Sequence, residues 1–293
     1  MKGRGTRIAR IAFSAAGVVL SLFFTRAAAA GDGSLTFFGW SDQHIPTDGD
    51  GSHLIPAIDG MNALPGTAYP EAIGGTVERP AFVFGCGDIT EWPTNAAKTT
   101  YEELVTKRLK FPTYDVMGNH DEGGKSPSPT MADWLKARHG ALSYTFEKGG
   151  VRFLAVYSEY DEGLNNPAQP LTREALEFIR RELAKVPPGA PVVVATHLCY
   201  DAMTNRDALV DALGEANVLM VLGGHYHKAK VDQYRGVHFV QLPSPAPNGQ
   251  REFTVVRIGP NRLVAVPYSY EKKTWVLDRR KVLGVSIRKT GDR

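Results

Sequence analysis

Five short clusters of His, Asp and Asn in this 293-residue sequence are of the kind that binds metal ions. Imidazole nitrogens and carboxylate or amide oxygens suit Mn, Fe or Zn, so such a site needs no cysteine. Five of the eight histidines lie in these clusters. In chain order, the clusters are Asp42-Gln43-His44, Gly87-Asp88-Ile89-Thr90-Glu91, Gly118-Asn119-His120-Asp121, His197 and Gly224-His225-Tyr226-His227.

Two of the clusters are rare enough to be informative on their own. In a chain of this composition, Gly-Asn-His is expected about 0.03 times by chance and Gly-His-x-His about 0.02 times. Asp-x-His is expected about 0.4 times and is weak evidence alone. Their occurrence together in one chain therefore indicates a metal site.

Each cluster follows directly on a predicted buried strand. In layered α/β proteins, ligands bind at the carboxyl ends of the strands, where the loops converge. We therefore expect the five clusters to meet at one edge. The predicted strands are Leu35–Trp40, Ala81–Phe84, Thr113–Met117, Val151–Tyr157, Pro191–Thr196 and Val218–Leu222.

Helical patterns alternate with these strands, and the chain ends in strands alone. This order predicts a mixed α/β layered domain finished by antiparallel strands. The Gly- and Pro-rich segment Ile45–Pro80 is predicted to be a functional rim with one short helix at His53–Ala63. The other predicted helices are Thr99–Leu109, Met131–His139, Thr172–Val186 and Arg206–Ala216, and the terminal strands are Val237–Leu242, Phe253–Ile258, Leu263–Tyr268 and Thr274–Leu277.

The order D-x-H, G-D-x-x-E, G-N-H-D, H, G-H-x-H resembles that of the calcineurin-like metallophosphoesterases, from Gly39 to His227. The resemblance implies a four-layer sandwich, in which two mixed β-sheets are flanked by helices. It also implies two metal ions at the strand ends. By motif, the first metal would take Asp42, His44 and His227, the second Asn119, His197 and His225, and Asp88 would bridge both.

This ligand set has a chemical rationale. Two cations about 3.5–4 Å apart can share a hydroxide that attacks phosphorus, and they can stabilise both the attacking and the leaving oxygen. The metals would be divalent or trivalent, with Mn, Fe and Zn all suited to these ligands. The resemblance assigns His120 as general acid to the leaving oxygen and Glu91, where many relatives carry Asp, as its anionic partner. We also expect His120 to point away from Asn119 and Asp121 on an extended segment.

The predicted reaction is hydrolysis of a small phosphoester, with a diester favoured over a monoester. A monoester's second charge usually requires Arg or Lys beside the metals, and no motif contains one; Lys228 and Lys230 lie just beyond the last. Glu91 stands where purple acid phosphatases carry an iron-ligating Tyr, which disfavours that subclass. The alternatives are a phosphomonoesterase or nucleotidase on the same site, a non-catalytic metal-binding scaffold, and a metal hydrolase acting on another bond.

Residues 1–30 have the order of a secretory signal peptide: basic residues, an apolar run of 14 residues at Ile11–Phe24, then small residues. A run of this length is too short for a stable membrane span. We therefore predict a signal peptide at 1–30, a phosphoesterase domain at 31–293, and a secreted or periplasmic location. Without the first 30 residues, the chain has 29 basic and 31 acidic side chains, which argues against a nucleic-acid-binding surface.

Cys86 and Cys199 are the only cysteines, and each lies two residues from a predicted ligand. A disulfide between them would suit an oxidising compartment. The alternative is that both are buried as small apolar residues. The sequence leaves these two possibilities open.

Overall fold

The computed structural model describes residues 33–287. Its strands are β1 Leu35–Trp40, β2 Val83–Cys86, β3 Thr113–Val116, β4 Tyr144–Lys148, β5 Val151–Ala155, β6 Val192–Leu198, β7 Val218–Gly224, β8 Lys230–Tyr234, β9 Val237–Gln241, β10 Glu252–Ile258, β11 Arg262–Ser269, β12 Thr274–Trp275 and β13 Leu283–Ser286. Its α-helices are α1 Ile55–Ala63, α2 Asn95–Glu103, α3 Asn119–Glu122, α4 Thr130–His139, α5 Arg173–Leu183 and α6 Arg206–Leu213.

The strands form two mixed sheets. The first has the order β12-β11-β10-β1-β2-β3, with β13 also paired to β11, and the second has the order β4-β5-β6-β7-β9-β8. β1, β2 and β3 are parallel to one another, as are β5, β6 and β7. The carboxyl ends of the strands that precede the motifs are thus adjacent within each sheet.

Successive side chains of each strand point to opposite faces of its sheet, and the apolar ones form three buried layers. In β1, Phe37 packs between the two sheets, whereas Phe38 and Trp40 pack on the helix side of the first sheet. In β6, Val193 faces the other sheet and Val194 faces the helices. α1, α2 and α4 cover the first sheet, and α5 and α6 cover the second. The predicted four-layer α/β fold is therefore confirmed.

The amphipathic helix α5 shows how the sequence determines these layers. The Thr172 side chain accepts a hydrogen bond from the Ala175 N–H, which caps the helix start. Leu176, Ile179 and Leu183 then recur at helical spacing and are buried against the second sheet. The helix ends three residues before the end predicted from its apolar pattern.

Three strands escaped prediction because they are only partly buried. β4, β8 and β13 have half-exposed or exposed residues, so their apolar alternation is weak. One expectation about the terminal strands was wrong: β9 pairs in parallel with β7 and antiparallel only with β8. The short turn at 235–236 allows β8 and β9 to form a hairpin, and β9 is then placed beside β7.

The segment Ile45–Pro80 is largely exposed, but it also contributes apolar side chains to the core, and its predicted role as a functional rim stays a prediction. Leu54, Ile58 and Met61 are fully buried with α1 against the first sheet. Further along, Tyr69 is buried beneath Arg257, whose guanidinium lies 4.7 Å from the Tyr69 ring centre. The Gly and Pro residues lie in the turns between these buried side chains.

The predicted signal peptide at 1–30 lies outside the described residues, so it remains a prediction. Among residues 33–287, no helix is both long enough and apolar enough to cross a membrane.

Candidate metal centre

The motifs converge where the strands of both sheets end. Asp42 and His44 follow β1, Asp88 follows β2, and Asn119 and His120 begin the short helix α3 just after β3. From the second sheet come His197, which lies within β6 and not after it, and His225 and His227, which follow β7. The structure thus brings together all nine residues singled out as site candidates.

Five of these residues adopt a left-handed backbone conformation, with φ between 46° and 76°. This region is uncommon for residues other than glycine, and such conformations cluster at functional sites. Their shared conformation directs successive side chains of each loop toward one point at the strand ends. The five are Asp42, His44, Asp88, His225 and His227.

The first ligand group consists of Asp42, His44 and His227. The Nε2 atoms of the two histidines are 3.0 Å apart, and Asp42 Oδ1 is 3.6 Å from His227 Nε2. One ligand atom from each residue lies within 4.8 Å of the others. These three side chains could therefore hold one cation.

The second ligand group consists of Asp88, Asn119, His197 and His225. Asn119 Oδ1 is 3.1 Å from both His197 Nε2 and His225 Nδ1. Asp88 Oδ2 is 3.1 Å from His197 Nε2. Two imidazole nitrogens, a carboxylate oxygen and an amide oxygen thus surround a second point.

Asp88 lies between the two groups. The Oδ2 atom that approaches His197 is also 3.8 Å from His44 Nε2, in the first group. A carboxylate shared in this way can bridge two cations. The donor set therefore fits the pair of metal ions that the sequence predicted, with the first group on one side of Asp88 and the second on the other.

The electrostatics of the centre are those of a buried cluster of ligands. Burial raises the pKa of Asp42 to about 7, with Asp88 adding to the rise and His197 opposing it. Burial also lowers the pKa of His44 to about 3 and that of His225 to about 4. The buried imidazoles of His44 and His225 are therefore neutral at pH 7, the form that ligates metals.

Hydrogen bonds behind the ligands fix their orientation. The Cys86 carbonyl oxygen lies 2.7 Å from His197 Nδ1, which must carry the proton in order to donate to it; His197 Nε2 is then directed at the centre. The backbone N–H of His225 donates to the Asp42 carboxylate, 3.0 Å from each oxygen. Ser244 Oγ donates to the Asp42 carbonyl at 2.6 Å.

His120 stands at the margin of the centre, beside the first group. Its ring centre is 4.6 Å from that of His44. Its Nδ1 lies 2.8 Å from the Glu91 carbonyl oxygen, which can only accept, so Nδ1 carries a proton and Nε2 is available for proton transfer. The Trp92 ring packs against the imidazole with centres 4.7 Å apart.

One expectation about His120 is wrong, and the other, its pairing with Glu91, is met only at 4.0 Å. Residues 119–122 form a turn of helix and not an extended segment, because the extended backbone ends at Gly118 and α3 begins at Asn119. The partner of His120 Nδ1 is the backbone carbonyl of Glu91, whereas the carboxylate is 4.0 Å away. That carboxylate instead lies 2.9 Å from His44 Nδ1, although the two groups are not aligned as a hydrogen bond. The longer Glu side chain reaches past His120 to His44.

Asp121 holds the loops of the centre together, a role that was not predicted from the sequence. Its buried carboxylate accepts hydrogen bonds from the backbone N–H groups of Ile89, Thr90 and Gly118 and from Thr90 Oγ1, at 2.9–3.1 Å. The Asp88 loop and the Asn119 loop are thereby held to one another. Its place in the Gly-Asn-His-Asp motif was the available signal.

Two glycines are required by close approach of neighbouring loops. A Cβ on Gly118 would overlap the Asp88 carboxylate and backbone nitrogen. A Cβ on Gly224 would overlap the Ser41 hydroxyl and lie 2.6 Å from Asp42 Oδ2. The glycines in these two motifs thus allow the ligand loops to meet.

The two cysteine thiols and Lys230 have surroundings of their own. Cys86 and Cys199 are both free and buried, in agreement with the alternative of two small apolar residues. Lys230 is held by Asp201 and by Asp232, with Nζ 3.1 Å from Asp232 Oδ2. It is therefore not available as a free cation beside the metal ligands.

Residues 66–229 match the profile of the family described as Calcineurin-like phosphoesterase, and the chain belongs to this family. This confirms the resemblance noted from the motifs. Family membership and the clustered ligands identify a protein of the metallophosphoesterase type with candidate metal-binding residues.

The relatives include serine/threonine-protein phosphatase CPPED1 of Bos taurus, 27% identical over 192 residues, and that of Homo sapiens, 25% identical over 194. Each match covers 58% of this chain and 60% of the relative, so the chain spans less than two thirds of these relatives. In overall fold the chain is similar to GAP50, the anchor in the inner membrane complex of Plasmodium. That match has 16% identity and a TM-score of 0.57, and it covers 87% of this chain and 90% of GAP50.

Proposed function

We propose that the chain is an exported, metal-dependent phosphodiesterase with two metal ions at this centre. One observation carries the proposal: seven ligand-type side chains meet in two groups that share the Asp88 carboxylate, with a histidine suited to proton transfer at their margin. Bound there, the metals would polarise the phosphoryl group and activate water as the nucleophile. The protein residues position these groups and handle the proton.

The ligands proposed for the first metal are Asp42, His44 and His227, and those proposed for the second are Asn119, His197 and His225. The bridging role of Asp88 follows from the position of its Oδ2 between His44 and His197. The backbone bonds to Asp42 and the Cys86 carbonyl at His197 hold ligand atoms in place before substrate arrives. This preorganisation reduces the reorganisation needed during the reaction.

His120 is proposed to protonate the leaving alkoxide. Because the Glu91 carbonyl holds Nδ1–H, an imidazolium at this position keeps Nε2–H free to donate. The Trp92 ring against the imidazole restricts its rotation. Glu91 thus contacts both histidines: its backbone carbonyl accepts the proton of His120 Nδ1, and its carboxylate lies beside His44 Nδ1.

Substrate charge favours a diester. Among the described residues, the ion pairs of the centre join histidines to Asp88, Glu91 or Asp42, and none involves Lys or Arg. A diester has a single negative charge and requires less cationic compensation than a monoester. The phosphatase relatives favour the second candidate, a phosphomonoesterase on the same site.

The test compares bis-nitrophenyl phosphate with nitrophenyl phosphate, after chelation and readdition of Mn, Fe, Zn or Co, with metal content measured in parallel. Two metals per chain and a higher kcat/KM for the diester are expected. A higher kcat/KM for the monoester would move the function to the second candidate. No metal-dependent turnover of either ester would leave a metal-binding scaffold as the better account.

The general-acid role has its own test in His120→Asn. Alkyl esters need protonation of the leaving oxygen far more than nitrophenyl esters do, so the variant should lose at least about 100-fold more kcat on an alkyl diester. Metal content should stay unchanged. Equal losses on the two substrates would contradict proton donation by His120.

Export is proposed from the order of residues 1–30. Expression of the full chain in a secreting host should yield protein outside the cytoplasm whose N-terminus lies near residue 31. Replacement of three leucine, valine or phenylalanine residues of the apolar run by charged ones should retain the protein inside the cell. Full-length protein that stays in the cytoplasm would contradict the proposal.

A further inference from the structure

The loop that carries Glu91 runs alongside the loop that carries His44. The backbone N–H of His44 donates to the Asp88 carbonyl at 3.0 Å. The backbone N–H of Glu91 donates to the carbonyl of Ile45, the residue after His44, at 2.9 Å. Because these backbone hydrogen bonds fix the distance between the two loops, the Glu91 side chain begins at a fixed point next to the His44 imidazole.

The His44 imidazole has one nitrogen for the metal and one for the protein. Its Nε2 belongs to the first ligand group, 3.0 Å from His227 Nε2. A neutral imidazole that ligates through Nε2 carries its proton on Nδ1 and can donate it. His44 Nδ1 is buried, however, and no group in residues 33–287 is aligned to accept that proton. A buried N–H without an acceptor is costly, so this nitrogen requires a partner.

The Glu91 carboxylate is within reach of that nitrogen. Glu91 Oε2 lies 2.9 Å from His44 Nδ1, which is hydrogen-bond distance although the two groups are out of line. The Glu91 side chain is 46% exposed, and within the described part of the chain its carboxylate forms no ion pair with Lys or Arg. No other contact therefore prevents the carboxylate from turning into line with the His44 N–H.

His120 does not require this carboxylate. The backbone carbonyl of Glu91 lies 2.8 Å from His120 Nδ1, whereas Glu91 Oε1 is 4.0 Å from the same nitrogen. The backbone of Glu91 thus holds the proposed acid, and its side chain is left for the proposed ligand His44.

We propose that Glu91 is a positioning residue for the first metal: its carboxylate accepts the Nδ1 proton of His44 and thereby holds His44 Nε2 toward the first ligand group. The inference rests on the proposed metal centre, and it assigns to His44 the carboxylate that the resemblance assigns to His120. A carboxylate behind a ligating imidazole fixes the tautomer and the ring orientation, and it increases the basicity of the ligand. Loss of such a partner lowers metal affinity by about 10–100-fold.

The experiment titrates the metal-free protein with Mn in a calorimeter. Glu91→Ala should weaken one of the two sites about 10–100-fold and leave the other unchanged. Glu91→Gln keeps an acceptor oxygen without the charge, so it should weaken that site less. Glu91→Asp is one methylene shorter and should weaken the site as much as Glu91→Ala does. Wild-type affinity in both Glu91→Ala and Glu91→Asp would overturn the proposal.

Two ligand variants identify the site that is affected. His225→Ala removes a proposed ligand of the second metal, so binding to this variant reports on the first site, and His227→Ala does the converse. Addition of Glu91→Ala should weaken Mn binding in the His225→Ala protein and leave it unchanged in the His227→Ala protein. The control is Glu159→Ala, in the exposed loop after β5, which should change neither. The reverse pattern, or equal weakening in both proteins, would overturn the proposal.

The dependence on the leaving group separates this role from proton donation. The Glu91 carbonyl that holds His120 is present in every Glu91 variant. At saturating metal, the ratio of kcat on a nitrophenyl diester to kcat on an alkyl diester should therefore stay within about twofold of the wild-type ratio. A change in this ratio as large as that expected for His120→Asn would return the carboxylate to His120 and overturn the proposal.

NMR of the histidine nitrogens tests the contact without metal or turnover. In the metal-free wild type, His44 should carry its proton on Nδ1, because a carboxylate can only accept, and Glu91→Ala should shift the proton toward Nε2. A wild-type His44 with its proton on Nε2 would overturn the proposal. Metal binding without hydrolysis of either ester would overturn the phosphodiesterase and leave this role of Glu91 intact. Diester hydrolysis with unchanged Mn affinity in Glu91→Ala would overturn this role alone.

Discussion

Replacement of Asp121 by Asn tests whether a residue that binds neither metal nor substrate holds the centre together. The carboxylate accepts four hydrogen bonds, two at each oxygen: Oδ1 takes those from Thr90 N–H and Oγ1, and Oδ2 takes those from Ile89 and Gly118 N–H. An Asn side chain has the same shape but offers one acceptor oxygen. Whichever way its amide turns, an NH₂ group faces two buried donors.

The magnitude follows from those two donors. Each buried donor that loses its partner costs about 1–3 kcal/mol, so Asp121→Asn should lower the free energy of unfolding by about 3 kcal/mol. For a domain of this size, 1 kcal/mol corresponds to roughly 2–4 °C in Tm. We expect Tm to fall by about 6–12 °C. Burial raises the pKa of Asp121 to about 6, so the side chain is ionised at the pH of the assay, 7.5.

The assay is thermal and urea unfolding of the metal-free protein, so that loss of metal does not contribute to the change. Asp133→Asn is the matched control: Asp133 is exposed in the first turn of α4, where its charge stabilises the helix by at most about 1 kcal/mol, so Tm should fall by less than about 4 °C. A fall of under 2 °C for Asp121→Asn would refute the reasoning. It would mean that the buried N–H groups find other acceptors and that the two loops do not depend on this carboxylate.

Four further outcomes are expected. Asp88→Asn should reduce the metal content from two ions to fewer than about 0.2 per chain and lower kcat/KM by at least about 10³-fold, because both ligand groups lose a shared anion. Elemental analysis measures the metal content, and retention of both metals would contradict bridging by Asp88. Gly224→Ala should lower the affinity for metal at least about tenfold, because the added Cβ would collide with Ser41 and Asp42. Calorimetry with Mn measures this affinity, and an unchanged value would argue against the close approach of Gly224 to the Asp42 loop. Burial raises the pKa of Glu122 from its usual 4.5 to about 7 in the folded protein. The folded state therefore binds the proton more tightly than the unfolded state, and the resulting contribution to the free energy of unfolding is lost as pH rises from 4.5 through 7. The Tm of the wild type should accordingly fall relative to that of Glu122→Gln between pH 5 and pH 8. A difference in Tm that stays constant with pH would contradict the raised pKa. Thiol titration of the denatured, unreduced protein should find two free thiols per chain, those of Cys86 and Cys199. A titration that finds no free thiol would contradict the structure.

The site was more predictable than the fold around it, for a physical reason. Ligand residues must be of particular types at particular spacings, so His225 and His227 are visible in the sequence at once. β4 and β8 are partly exposed, and their stability comes from pairing with neighbours far along the chain, which leaves little local pattern. Within residues 45–80, composition did not reveal that Leu54 and Ile58 are buried between turns rich in Gly and Pro.

Residues that orient ligands were also hard to predict. The Cys86 carbonyl and the Ser244 hydroxyl contact ligands that are distant in sequence, and backbone carbonyls have no sequence signature. Glu91 was assigned to His120 by resemblance, but side-chain length decides which imidazole its carboxylate reaches, and only the structure gives that.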